Sequence, residues 1–370
     1  MKKIVIFNAS SFIYGAERGL LNLIKAFKNK FDITVVVPGK GPLAGKIKEV
    51  NPSVKVITFP LAILMFSFSP LYFVRFVFLF FVDLFFFLFY INHNDIEIIS
   101  TNSLLLAFPA LCARLLGRPH IWHIREVFPY KFMNYILSSY AEIFSSQIIC
   151  QSEFINRKLY LDNKTDVIYE PLDKGDYKVY ERNKARRILR VPSQAVVVSI
   201  ISRIHPAKGQ YEFLVNLREL LCKNRDVVIL IAGNVNLLTL RNRIYKRRID
   251  EFIRKHNLEN VLITGFIENI GLVLSATDIC VFPFKRAEPF GIAAAEALAW
   301  GLDTFYPFSG GLREVHNIFK RGNAFRIDDI VKRIISCKHS SNKAVSLNIP
   351  DELSLSRYQD TVVKIYKNVA

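Results

Sequence analysis

Short apolar blocks separated by polar, glycine-bearing turns run through this chain, and between them apolar positions recur at helical spacing. Residues 3–7, 33–38, 54–59, 96–100 and 121–126 each read as a strand, the last running into a loop. Residues 147–150 read as the last strand of a first domain. Runs this short and this apolar fit strands buried on both faces. Residues 16–29, with apolar side chains at 20, 21, 23, 24 and 27, are predicted as a helix, as are 104–116, closed by Gly117. Residues 167–173 hold a proline and two acids and suit a hinge. After them the pattern resumes with strand-like 196–201, 227–232, 261–267 and 278–283, a helix at 292–300 and a closing helix from 355 to 370. Strands alternating with helices argue for an α/β architecture.

One segment breaks the pattern. Residues 61–91 carry phenylalanine at 66, 68, 73, 76, 78, 80, 81, 85, 86, 87 and 89, interrupted only by Arg75 and Asp83. Residues 76–91 are apolar nearly all round, short of the roughly 20 residues a membrane span needs. A span would also tear the strand order, because strand-like 96–100 follows at once. Three readings stay open: a buried crossover helix, a monotopic or re-entrant membrane-docking element, and a true span.

Charge changes that picture. The formal net charge is +18, with pI near 9.7 and a mean hydropathy of +0.23. Such a chain is drawn to anionic partners, and basic side chains beside an apolar wedge gain from anionic lipid. Five scattered cysteines without a paired spacing fit a reducing compartment and neither a disulfide framework nor a zinc site. Met1-Lys-Lys-Ile-Val-Ile-Phe resembles the opening of a signal peptide, but the apolar run stops at Asn8, which favours a first strand. The basic run 184–190 reads as a solvated first helix of the second domain. The denser run 241–248 reads as an exposed helix face, or as a contact for lipid head groups or an anionic acceptor. No nucleic-acid module accompanies it.

Candidate chemistry concentrates late in the chain. Pro289 and Gly291 punctuate a loop that leads into helix 292–300. The free N–H groups and dipole of that helix start form an anion site. Glu288 lies just outside the helix and Glu296 about one and a half turns inside, so two carboxylates bracket the spot where a phosphorylated ligand could rest. Alanines at 293, 294, 295, 297 and 299 let the helix approach a sheet closely. Arg203 and Lys208, in a turn after strand 196–201, offer a planar fork and a flexible point charge suited to a diphosphate. His123 ends a strand at the edge where open α/β sheets bind ligands, although a lone histidine on an apolar strand is more often a core residue. Arg125 and Glu126 either orient an acceptor or pair with one another. The opening strand–loop–helix lacks a dinucleotide fingerprint.

The run Glu-Pro-Phe-Gly, seven residues between the glutamates, Glu-Ala-Leu-Ala-Trp-Gly and then Gly-Gly-Leu-Arg-Glu-Val resembles the donor-binding signature of retaining GT-B glycosyltransferases, in particular glycosyltransferase family 4. Arg203, Lys208 and Gly209 match the family's phosphate loop, with Ser202 in place of its glycine. Gly15 matches its N-terminal glycine loop, with Tyr14 in place of the first glycine. After Leu302 the chain has Asp303-Thr-Phe where the family usually has Pro-Val-Ile. The resemblance covers essentially the whole chain, densely over 196–315. It implies two Rossmann-like doubly wound domains facing across a cleft, at 1–172 and 173–352, with a closing helix at 353–370 on the first.

The activity it implies is retaining transfer of a sugar from a nucleotide-diphosphate sugar. Arg203, Lys208, Gly15 and the amides of Phe290 and Gly291 would hold the diphosphate, Glu296 the ribose, and Phe266 and Ile267 the base. Glu288 and His123 would act at the sugar. No metal or other cofactor is expected. The implied partners are the donor, a lipid-linked or saccharide acceptor such as a polysaccharide precursor, and an anionic membrane surface, with no nucleic acid. The implied location is cytoplasmic, peripheral on the inner face of the cell membrane. A catalytically silent nucleotide-sugar-binding partner and a GT-B epimerase are the rival readings.

Overall fold

The computed structural model describes residues 1–64, 70–128, 130–161, 164–236, 239–337 and 347–369. The chain forms two compact units, Met1–Pro171 with Asp351–Ala370, and Leu172–Pro350.

In the first unit the order is β1 (Lys2–Phe7), α1 (Gly15–Phe27), β2 (Phe31–Val37), α2 (Pro42–Val50), β3 (Lys55–Thr58) and α3 (Pro70–His93). There follow β4 (Ile98–Thr101), α4 (Phe108–Leu116), β5 (His120–Ile124), α5 (Lys131–Phe144), β6 (Gln147–Cys150), α6 (Glu153–Leu159) and β7 (Thr165–Val167). The strands form a parallel sheet in the order β3-β2-β1-β4-β5-β6-β7. The sheet therefore continues one strand past β6, which the sequence reading took as the last. β7 is three residues long and only partly buried, too short to show an apolar block. The helix predicted over 104–116 starts at Phe108, with Pro109 in its first turn, where a missing N–H costs nothing.

The second unit holds α7 (Arg182–Ile188), β8 (Val196–Ile201), α8 (Gln210–Lys223), β9 (Val227–Ala232), α9 (Leu240–Lys255), β10 (Val261–Gly265) and α10 (Gly271–Ala276). It continues with β11 (Ile279–Val281), α11 (Ile292–Ala299), β12 (Asp303–Tyr306), α12 (Leu312–Phe319), β13 (Asn323–Ala324) and α13 (Ile327–Ser336). Its sheet runs β10-β9-β8-β11-β12-β13, again parallel. Asp303 does not disturb this sheet. It opens a regular strand, and its carboxylate takes Arg333 from α13. α7 is not simply a solvated basic helix. Arg186 is buried and ties the Asp278 carboxylate and the Ala276 carbonyl to its own helix. Finally α14 (Leu355–Asn368) returns to the first unit, where Tyr358, Val362, Val363 and Tyr366 join the core beneath α1 and β1.

The phenylalanine-rich segment is a 24-residue helix, α3, with 65–69 outside the described residues. Its buried face is a single stripe of Leu84, Phe87 and Ile91, packed with Phe7 and Phe108 against the sheet. On the opposite side Leu71, Val74, Phe78, Phe81, Phe85 and Phe89, each three or four residues apart, stand exposed, Phe78 and Phe89 by 67% and 70%. α3 is thus the crossover from β3 to β4, with one face packed on the sheet and the other exposed. The helix is long and apolar enough to cross a membrane by length and composition. At about 1.5 Å per residue it measures roughly 36 Å. Asp83 sits on the buried face of this same helix, with Oδ2 accepting the Ala62 N–H at 2.5 Å.

Candidate functional site

Three loops at the C-terminal edge of the second sheet knit together residues far apart in sequence. The first follows β8 and carries Arg203 to Gly209. The Lys285 N–H donates to the Ala207 carbonyl at 2.9 Å, joining this loop to the one after β11. Gly209, at φ +73°, makes the joint possible, since a Cβ there would meet the Pro283 carbonyl oxygen at 1.9 Å. The third loop enters through Gly311, whose N–H donates to the Glu288 carbonyl at 2.9 Å. Ser202, the departure from the family glycine, is accommodated by Gln210, whose amide donates to the Ser202 hydroxyl at 3.0 Å and to the Arg203 carbonyl at 2.9 Å.

Within this frame Lys208 and Glu288 meet, with Nζ and Oε1 2.7 Å apart and both side chains largely shielded. The ammonium also lies 4.1 Å from the centre of the Phe284 ring. Burial lowers the Lys208 pKa, and the Glu288 carboxylate opposes that shift. α11 opens immediately beyond, at Gly291, whose φ of +102° lets the loop turn into the helix. A Cβ at this glycine would sit 2.4 Å from Leu312 Cδ2. Phe290 is buried, so its ring serves the core while its backbone borders the helix start. Arg203 is exposed beside the pair.

The field here is more positive than the motif alone suggests. His205, whose Nδ1 accepts the Ala207 N–H at 3.0 Å, has its pKa lowered by burial and then by Arg203, Arg241, Lys208 and Arg286. Arg241 and Arg286 therefore belong to the electrostatics of this site. Arg286 lies two residues before Glu288, whereas Arg241 comes from α9. The remainder of the basic run in α9 is largely a solvated face, with Lys246 paired to Asp250 and Arg247 to Glu251 one turn on.

Glu296 is buried in α11, 2% exposed, and its Oε1 accepts the Tyr177 hydroxyl at 3.0 Å. The Tyr177 ring stands edge-on to Trp300, 5.8 Å between centres. Tyr177 was missed in the sequence, where it is one tyrosine in a linker. Phe266 and Ile267 follow β10 at the same strand edge, and the Phe266 ring is 59% exposed.

The candidates in the first unit are placed differently. Gly15 opens α1, with open space where a side chain would stand. Near it the buried Glu17 carboxylate accepts the Tyr14 N–H at 3.0 Å. His123 is a buried residue of β5, its Nε2 2.8 Å from the Tyr366 hydroxyl. Burial, then Arg125 and His120, hold its pKa well below the usual histidine range, so the ring is neutral near pH 7. Arg125 and Glu126 do not form a side-chain ion pair. Arg125 pairs with buried Glu170 and donates to Asn102 at 3.0 Å, while Glu126 accepts from Ser103 and from the Leu104 N–H at 2.7 Å.

Comparison with known proteins fits this layout. Residues 181–348, just under half of the chain, match the family model described as Glycosyl transferases group 1. No curated protein matches the chain in sequence. Among solved structures, Anabaena Alr3699/HepE in complex with UDP and glucose is similar over 100% of both chains, with TM-score 0.80 and 19% identity. A glycosyltransferase from Rickettsia africae covers 100% of this chain and 98% of its own, with TM-score 0.73 and 18% identity. WaaG, a glycosyltransferase involved in lipopolysaccharide biosynthesis, gives TM-score 0.63 at 11% identity over 99% of each chain. The fold is GT-B, and the group 1 glycosyltransferase model matches most of the second unit.

Proposed function

We propose that this protein transfers a sugar, with retention, from a nucleotide-diphosphate sugar bound by the second unit. The observation that carries the reading is the Lys208–Glu288 pair at the head of α11, assembled from residues 80 apart, with the Arg203 charge beside it. As the bond from the anomeric carbon to the β-phosphate oxygen breaks, negative charge grows on the diphosphate. Arg203, Lys208 and the amides at the start of α11 stabilise it, and one preorganised donor of this kind is worth about 2.7–4 kcal/mol. Glu296 accepts from the ribose, and Glu288 holds sugar hydroxyls once Lys208 turns to phosphate. The acceptor oxygen attacks from the face the leaving group vacates, and its proton passes to the departing phosphate. No metal is invoked in these steps.

The acceptor is read as lipid-linked, and the chain as peripheral on an anionic membrane. The outward stripe of α3 and the net charge of +18 support that reading. An interfacial helix is favoured over a span. Its other face is packed on the sheet, and β3 and β4, which flank it, belong to one sheet.

The test is thermal unfolding with UDP, GDP, ADP or CMP, in wild type and Glu296→Ala. A ligand at about 100 times its Kd should add roughly 2.7 kcal/mol. One nucleoside diphosphate should stabilise the wild type and lose that effect in the variant. No shift with any nucleotide would sink the donor reading and favour a catalytically silent shell.

A further inference from the structure

We infer that Tyr177 is a positioning residue for the donor site, its hydroxyl fixing the Glu296 carboxylate in the orientation that accepts the ribose 2′-hydroxyl. The inference rests on the reading of Glu296 given above. Glu296 and Trp300, the helical residue that closes α11, are four apart and so share one face. Tyr177 touches both, its ring edge-on to the indole and its hydroxyl 3.0 Å from Oε1. A buried carboxylate needs donors, and a hydrogen bond to a charged group counts for more than a neutral one.

The backbone that carries Tyr177 is itself fixed. The Asp173 side chain caps the turn before it, accepting the Gly175 N–H at 2.9 Å. The Lys178 N–H donates to Asn269 at 3.3 Å and the Tyr180 N–H to Ser275 at 3.2 Å. Below lies Gly271, where a Cβ would come within 2.3 Å of the Lys178 carbonyl oxygen and 3.1 Å of the Trp300 ring. The phenol thus stands on a segment laced to α10 and the loop before it, with its hydroxyl 3.0 Å from the carboxylate. A tyrosine in a free linker would give no such constraint.

Tyr177→Phe tests this, because it keeps the ring and its contact with Trp300 and removes only the hydroxyl. The probes are whichever of UDP, GDP and ADP binds the wild type, together with its 2′-deoxy counterpart, measured by titration calorimetry. In the wild type the ribonucleotide should bind at least 10-fold more tightly than the deoxy form. Glu296→Gln should bring that ratio close to one. Tyr177→Phe should reduce it at least threefold, and the double variant should discriminate no less than Glu296→Gln alone. A Tyr177→Phe protein that keeps the full ratio, whatever happens to its melting temperature, would show a merely structural tyrosine and overturn the inference. So would tighter ribonucleotide binding, which would mark the hydroxyl as a competitor. If the wild type binds both forms equally, the ribose role of Glu296 fails first, a different result from either.

Discussion

Asp83 offers a quantitative probe of how α3 is seated. Its carboxyl is fully buried on the inner face of the apolar helix, with Oδ2 on the Ala62 N–H and, among the described residues, no hydrogen-bond partner for Oδ1. Burial raises its pKa from 3.8 to about 7, and the Ala62 bond only partly opposes this. The folded state therefore holds a proton that the unfolded chain releases near pH 4. Between those two values the native form binds more protons, so the stability contributed by this group is complete below about pH 4 and is lost as pH rises through 7. Three units at 1.36 kcal/mol each set the loss at up to about 4 kcal/mol. Asp83→Asn retains an acceptor for Ala62 and cannot titrate. The assay is urea unfolding followed through Trp122 of the first unit, in a Trp300→Phe background that removes the other tryptophan. From pH 4.5 to pH 8, about 2.5 of those units, the stability of the asparagine variant relative to the aspartate protein should grow by about 3 kcal/mol. A gap that stays constant within about 0.5 kcal/mol would refute the buried, protonated acid and with it this seating of the helix.

Two further outcomes follow from the geometry. Gly291→Ala meets both a left-handed backbone, costing about 1–2 kcal/mol, and a contact with Leu312 in the range of overpacking, about 1–3 kcal/mol. Urea melts of the second unit should fall accordingly, with part of the loss recovered when Leu312→Ala is added; an unchanged melt would contradict the turn described. Replacing Phe78, Phe81 and Phe85 by serine alters only outward side chains. Each buried phenylalanine is worth about 1.5–3 kcal/mol, so binding to anionic vesicles should weaken at least 100-fold with little change in melting. Undiminished co-sedimentation would discard the docking stripe.

The strands of both sheets were legible wherever a block of four or more apolar residues is buried on both faces, as in β1, β8 and β9. β7 and β13, three and two residues long, have no such signature. The loops carrying Arg203, Lys208 and Glu288, and the start of the helix that carries Glu296, were found because glycine and proline mark them locally. What brings them together is long-range, such as Lys285 on Ala207 or Gly311 on Glu288, and no local pattern encodes it. For the same reason Glu170 could not be foreseen as the partner of Arg125, nor Tyr177 as that of Glu296. α3 was the ambiguous case. Its sequence is apolar on every side, so periodicity could not tell which face the sheet would take.

The return of α14 to the first unit has a consequence for biosynthesis. Tyr366 closes that core, with its hydroxyl 2.7 Å from Ser100 and its ring against Phe27. A ribosome delivers β1 to β7 early, yet the helix that completes their packing emerges only after the whole second unit has been made. The nascent first unit must therefore wait with part of its apolar surface uncovered while its neighbour, continuous in sequence, is free to finish folding before it. That interval, with the outward face of α3 also bare, is when a chaperone or a nearby bilayer would find the most to hold.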